Sequence, residues 1–98
     1  MAIGVWCLVP GVTQQQYDAV MNEFKNSNEM DPGGLYHFAF PMDGSWCVFD
    51  VWESKEAFER FYSKTLHKAL QKVGIPDFQP KFVPIHNMIT EHARKMGH

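Results

Sequence analysis

Ser45-Trp46-Cys47-Val48-Phe49-Asp50-Val51-Trp52, running through Glu53-Ser54 into the stretch Lys55 to Gly74, decides the fold. Its first eight residues are rich in aromatic and β-branched side chains, as expected of a strand that is apolar on both faces. Beyond the hinge, Phe58, Phe61, Tyr62, Thr65, Leu66, Ala69, Leu70 and Val73 recur at three- and four-residue spacing. That spacing predicts an amphipathic helix. Ser54 is placed to cap it, Glu56 suits its positive N-terminal end, and Gly74 can close its C-terminus.

Working outward, Ala2 to Val9 reads as a first strand ended by Pro10-Gly11. Thr13-Gln14-Gln15-Gln16 is a capping box, and Tyr17, Val20, Met21 and Phe24 give the helix behind it one apolar stripe. Ser27 to Gly34 is a connection of turn formers. Leu35 to Phe40 is a second strand, joined to the third through Pro41-Met42-Asp43-Gly44, where Asp-Gly favours a tight turn. Lys81 to Ile89 is a fourth strand, and Pro84 within it argues for a sheet edge or a bulge. The order β-α-β-β-α-β is the ferredoxin-like α+β arrangement: a four-stranded antiparallel sheet with two helices on one face. Residues 1–89 form one domain in this reading, and 90–98 a solvated tail bearing Arg94 and Lys95.

The 98 residues carry a net charge of −2 with mixed signs, which gives no electrostatic reason to expect nucleic acid or an anionic membrane. The apolar N-terminal stretch is broken by Pro10-Gly11 and is too short to span a bilayer, so the chain reads as a cytoplasmic protein. Cys7 and Cys47 both fall in strands, where buried free thiols are expected. No phosphate loop, Cys-x-x-Cys pair or nucleophile elbow is present, and the histidine spacing gives no metal box.

The hairpin strands are apolar on both faces. One face carries Tyr36, Phe38, Phe40, Cys47, Phe49 and Val51; the other carries Leu35, His37, Ala39, Trp46, Val48, Asp50 and Trp52. Two helices cover one face only. A second copy of the chain, packed sheet on sheet as a homodimer, is the expected cover for the other.

With Asp43-Gly44 as a two-residue turn, Met42 pairs with Ser45, His37 stands opposite Asp50, and Leu35 opposite Trp52. A carboxylate beside an imidazole fixes its tautomer and makes it a usable general base. The same pair also serves as mutual satisfaction of two buried polar groups, or as the start of a metal site if His86 on the fourth strand joins it. The catalytic candidates are thus His37, Asp50 and His86, with no organic cofactor and no metal required. Trp6, Trp46, Trp52, Phe58 and Tyr62 are the candidate walls for a small apolar ligand. Tyr17 reads as a core residue of its helical stripe, and His67 as solvated.

Val51-Trp52-Glu53-Ser54-Lys55-Glu56-Ala57-Phe58, within this element order, resembles the dimeric α+β barrel superfamily that includes antibiotic-biosynthesis-monooxygenase-like proteins. Pro10 to Thr13, Gly34 to His37 and Val83 to Asn87 extend the resemblance to small bacterial members over most of the chain. The resemblance implies a homodimer with facing sheets and a cavity between sheet and helices. It also implies activities such as monooxygenation, cyclisation or isomerisation of aromatic or polyketide-like molecules, alongside members that only bind. The heme-degrading branch has a Trp where this chain has Phe61, a His where it has Gln71, and an Asn absent near Trp6-Cys7, so heme degradation is not implied. A further branch, the YCII-like proteins, carries a His–Asp pair that His37 with Asp50 resembles in kind.

Overall fold

The computed structural model describes residues 2–27 and 33–89, the side chains of residues 25–27 excepted. The bulk of the Ser27–Gly34 connection and the Thr90–His98 tail lie outside the described residues. The elements are β1 (Ile3–Pro10), α1 (Gln14–Ser27), β2 (Gly34–Met42), β3 (Ser45–Trp52), α2 (Lys55–Phe61), a π-helical turn (Tyr62–Leu66), α3 (His67–Val73) and β4 (Lys81–Pro84). The strands form one antiparallel sheet in the order β2-β3-β1-β4. The ferredoxin-like arrangement read from the sequence is the one observed.

Local chemistry sets most boundaries. The Thr13 hydroxyl accepts from the Gln16 amide and the Gln16 side chain accepts from the Thr13 amide, so the capping box forms in full and starts α1. Ser54 accepts from the Ala57 amide and starts α2. Asp43 and Gly44, with φ of 51° and 75°, make the two-residue turn that holds Met42 against Ser45. Gly74, at φ 90°, closes α3, and the amides of Gly74 and Ile75 both return to the Leu70 carbonyl.

Three expectations change. The helix from Lys55 is not uniform: the π turn interrupts it, and Tyr62 at the start of that turn and His67 just after it both reach the Asp77 carboxylate, at 2.7 and 3.2 Å. His67 is therefore partnered, not merely solvated. Trp52 pairs with Gly34 rather than Leu35, because a bulge between Gly34 and Tyr36 adds one residue to β2. The fourth strand stops at Pro84, far short of Ile89; it is an edge strand, as its proline requires.

The register sorts the sheet into two faces. Val5, Cys7 and Val9 share the helix side with Trp46, Val48, Asp50 and Trp52. The core beneath α2 gathers Val5, Cys7, Trp52, Ala57 and Phe58; a second cluster joins Val9, Val20, Ala69, Leu70 and Ile75. The outer side carries Trp6, Leu8, Tyr36, Phe38, Phe40, Phe49 and Val83. A Cβ at Gly4 would stand 2.7 Å from Phe49 Cζ and 2.9 Å from Val83 Cγ2, so the glycine lets these side chains lie close over the outer face.

Burial also tunes two acids in this core. Burial, and behind it the Asp50 charge, pushes the Cys7 thiol up to about 12. Burial and then the Asp77 hydrogen bond do the same for the Tyr62 phenol, also to about 12. Both groups are neutral in the native state and ionise more readily once unfolded. Their stabilisation is complete below pH 9 and is lost as pH rises towards 12. The urea midpoint should accordingly fall between pH 9 and 12, and Cys7→Ala or Tyr62→Phe should flatten that fall. A midpoint that stays level over this range in the wild type would contradict the assignment.

Candidate active site

Between the helix side of the sheet and the helices lies a cavity of about 340 Å³. Its lining is almost wholly apolar. Cys7, Val9, Trp46, Val48 and Trp52 form the sheet floor; Tyr17, Val20, Met21 and Phe24 line it from α1. Phe58, Phe61, Leu66 and Leu70 close it from the second helical stretch, with Ile75 and Phe78 from the crossing that follows. The stripes that mark these helices as amphipathic thus do not fill the space they enclose.

Into this cavity the sheet sets one connected polar chain. The Asp-Gly turn fixes the hairpin register, which places His37 opposite Asp50. His37 Nδ1 stands 2.6 Å from Asp50 Oδ1, and Trp52 Nε1 donates to Asp50 Oδ2 at 3.2 Å. The phenol of Tyr17, on the first turn of α1, stands 2.5 Å from His37 Nε2, the two ring planes within 3° of parallel and their centroids 5.9 Å apart. Residues far apart in sequence meet because the capping box fixes where α1 begins and β2 lies at the sheet edge beneath it.

The donors and acceptors can be assigned from chemistry. An indole N–H only donates, so Asp50 Oδ2 accepts from Trp52. A carboxylate only accepts, so His37 carries its proton on Nδ1 and gives it to Oδ1. The bare Nε2 then accepts from the Tyr17 hydroxyl. Burial first, then the charges of Asp50 and Asp18, holds the Tyr17 phenol above its usual value of 10, so the group keeps its proton at neutral pH. Asp50 is 9% exposed, whereas the His37 side chain keeps 40% of its surface accessible. The pair is anchored at its acid end and open at its imidazole end.

Among the expected site residues, His37, Asp50, Trp46, Trp52 and Phe58 all line the cavity. Three do not. Trp6 pairs with Phe49 and packs against Phe40 and Phe49, so it lies on the outer side of the sheet. His86 follows the end of β4, at the opposite edge of the sheet from His37, and is exposed. It does not complete a His-His-carboxylate set. Tyr62 sits on the π turn, packed against Phe78 and bonded to Asp77, outside the cavity lining. Among the described residues, no three His, Cys, Asp or Glu side chains are grouped as metal ligands.

Tyr17 is the residue that sequence reasoning missed. Its one signal was a phenol on an apolar stripe, which needs a partner when buried. Trp46 differs from Trp52 in having its indole Nε1 buried without a hydrogen-bond partner among the described residues, while its ring lies 5.2 Å from that of Tyr17.

No family model matches the sequence, and no curated protein matches it. Solved structures do. A cofactor-independent oxygenase from Streptomyces nogalater, SnoaB, aligns at 14% identity over 92% of this chain and 97% of its own, with a TM-score of 0.63. A candidate antibiotic biosynthesis monooxygenase from Chloroflexus aurantiacus aligns at 17% identity over 90% and 97%, with a TM-score of 0.61. A Mycobacterium tuberculosis protein aligns at 9% identity over 92% and 100%, with a TM-score of 0.68. At such identities the likeness is one of fold: the chain has the ferredoxin-like fold of antibiotic-biosynthesis-monooxygenase-like proteins.

Proposed function

We propose that the protein is an enzyme of small, apolar, aromatic or polyketide-like molecules, working without an organic cofactor, in which His37 is the general base and Asp50 orients it. The observation that carries this reading is the connected polar chain among the lining of an otherwise apolar cavity, with His37 Nδ1 on Asp50 and Nε2 on the Tyr17 hydroxyl. The apolar walls would hold a flat hydrocarbon skeleton and exclude water, which strengthens any charge interaction inside. Proton removal by His37 leaves an electron-rich substrate anion. That anion is the common first step of oxygenation by O2, of cyclisation and of isomerisation. The fold shared with a cofactor-independent oxygenase supports the first of these.

The test is to incubate the purified protein, with no added cofactor, with a panel of hydroxylated polycyclic aromatics and quinones and weigh the products. Gain of one oxygen atom with loss of two hydrogens, the second atom of O2 leaving as water, marks a monooxygenase, loss of water a cyclase, and unchanged mass with altered spectrum an isomerase. Unaltered substrates across the panel would leave the protein a binder rather than an enzyme.

The outer sheet face is the proposed seat of a homodimer. Leu8 is 47%, Phe38 54% and Val83 41% exposed there, around the rings of Trp6, Phe40 and Phe49. Sheet-on-sheet packing by a second copy covers such a face. The wild type should run as a dimer in native mass spectrometry, and Phe38→Asp should shift it to monomer, since a charge on this face would be desolvated on pairing. A wild-type monomer would end this part of the proposal. No helix among the described residues is long and apolar enough to cross a membrane.

A further inference from the structure

We infer that Tyr17, not His37, is the group that touches the substrate, and that it relays a proton from an aromatic hydroxyl, a phenol or enol, to His37. The inference rests on the reading of His37 as base and adds the residue through which that base acts. Both ring nitrogens of His37 are occupied: Nδ1 faces Asp50 and Nε2 faces the Tyr17 hydroxyl. An imidazole accepts a proton only at a bare in-plane nitrogen, and Nε2 is the one left bare by Asp50. A substrate therefore reaches that nitrogen either by displacing Tyr17 or through it. Displacement is opposed by the hydrogen bond itself and by the packing, since the phenol ring lies 5.2 Å, centroid to centroid, from the ring of Trp46. Trp46 in turn is 9% exposed in the floor of the sheet.

The phenol is suited to relay rather than to stand as a base by itself. Its oxygen donates one proton to Nε2 and keeps lone pairs that can accept another. Held neutral by burial and by the Asp50 charge, it offers no standing phenolate. The substrate O–H bond breaks as a new Tyr17 O–H bond forms; the original Tyr17 O–H bond breaks as the His37 Nε2–H bond forms. The products are a substrate oxyanion and a neutral Tyr17, with an imidazolium held by the Asp50 carboxylate. No electron changes hands, so this step needs no oxidant. A hydroxyl on the substrate suits this step because the phenol oxygen, while donating to Nε2, keeps lone pairs that accept from an O–H donor.

The test uses 4-nitrophenol, a small aromatic hydroxyl compound whose anion is coloured, titrated with pH in the presence of the full chain. Burial in an apolar cavity alone disfavours the anion. With the wild type, the bound phenol should ionise at lower pH than the free compound, giving about tenfold more anion at a fixed pH below its midpoint. Tyr17→Phe keeps the ring and its contact with Trp46, so it should still bind the compound but ionise it at or above the free midpoint. His37→Ala should do likewise. If Tyr17→Phe ionises the bound phenol as the wild type does, the relay is wrong while His37 stands as a direct base. If the wild type binds the compound without promoting ionisation, or does not bind it, the relay and the proposed base both fail.

Discussion

His37→Ala abolishes turnover and leaves the fold standing: on the substrate that the panel identifies, kcat should fall by roughly 10²- to 10⁴-fold, the usual contribution of a positioned base. The fold survives because the imidazole side chain is 40% accessible and its loss opens no sealed void. Asp50 keeps the Trp52 N–H as a partner, and Tyr17 keeps its contact with Trp46. Thermal melting within a few degrees of the wild type, together with lost turnover, is the expected pair of results. A variant that unfolds instead would show that His37 serves the structure; one that turns over normally would show that it serves nothing in the reaction. Asp50→Asn is a sharper companion. An amide NH2 set against Nδ1 would favour the other tautomer, placing the proton on Nε2 and blocking acceptance from Tyr17.

Trp52→Ala should be the most damaging single change to stability, about 3–5 kcal/mol from lost packing alone. Trp52 is 5% exposed and its ring meets those of Phe58 and Phe61 at 5.7 and 5.2 Å. It ends β3 two residues before the helix cap Ser54, so it ties sheet to helix at the hinge. Its N–H is also one of the two donors on Asp50, and removing it strips a buried carboxylate of a partner. Against the 5–15 kcal/mol typical of a domain, such a loss should leave the protein largely unfolded at moderate temperature. Trp52→Phe separates the two terms: it keeps most of the packing and loses the hydrogen bond, so it should cost far less. Chemical denaturation of the three proteins measures both, and equal midpoints for wild type and Trp52→Ala would overturn the hinge role.

The pairing of His37 with Asp50 was legible because it depends on short-range chemistry. Asp43-Gly44 specifies a two-residue turn, and counting outward from it sets His37 against Asp50 with no knowledge of the rest of the molecule. The count failed only past the bulge, at Leu35 and Trp52, where nothing in Gly34-Leu35-Tyr36 signals which residue is extra. Trp6 was misplaced for a different reason. Val5-Trp6-Cys7-Leu8-Val9 is apolar at every position, so alternation cannot tell which residues face the helices; the pairing with β3 decides it. His86 was drawn towards the site by a strand extended past Pro84, where the chain in fact leaves the sheet.

The cavity followed only from the resemblance, and the place of Tyr17 in it was beyond a one-dimensional reading. A helical stripe of Tyr17, Val20, Met21 and Phe24 predicts burial, but whether facing surfaces meet or leave a space depends on how α1 sits over the sheet. The π turn at Tyr62–Leu66 likewise has no clear sequence cause, although its effect, bringing Tyr62 and His67 to one carboxylate, is plain.

Nitrogen NMR of histidine-labelled protein, with and without an added phenol, tests the central claim most directly. In the free protein, the account predicts that His37 carries its proton on Nδ1 and is bare at Nε2. On adding the phenol, Nε2 should gain a proton and His37 should become an imidazolium, a change that Tyr17→Phe prevents. A His37 already protonated on Nε2 in the free protein, or one that a bound phenol leaves unchanged, would contradict it.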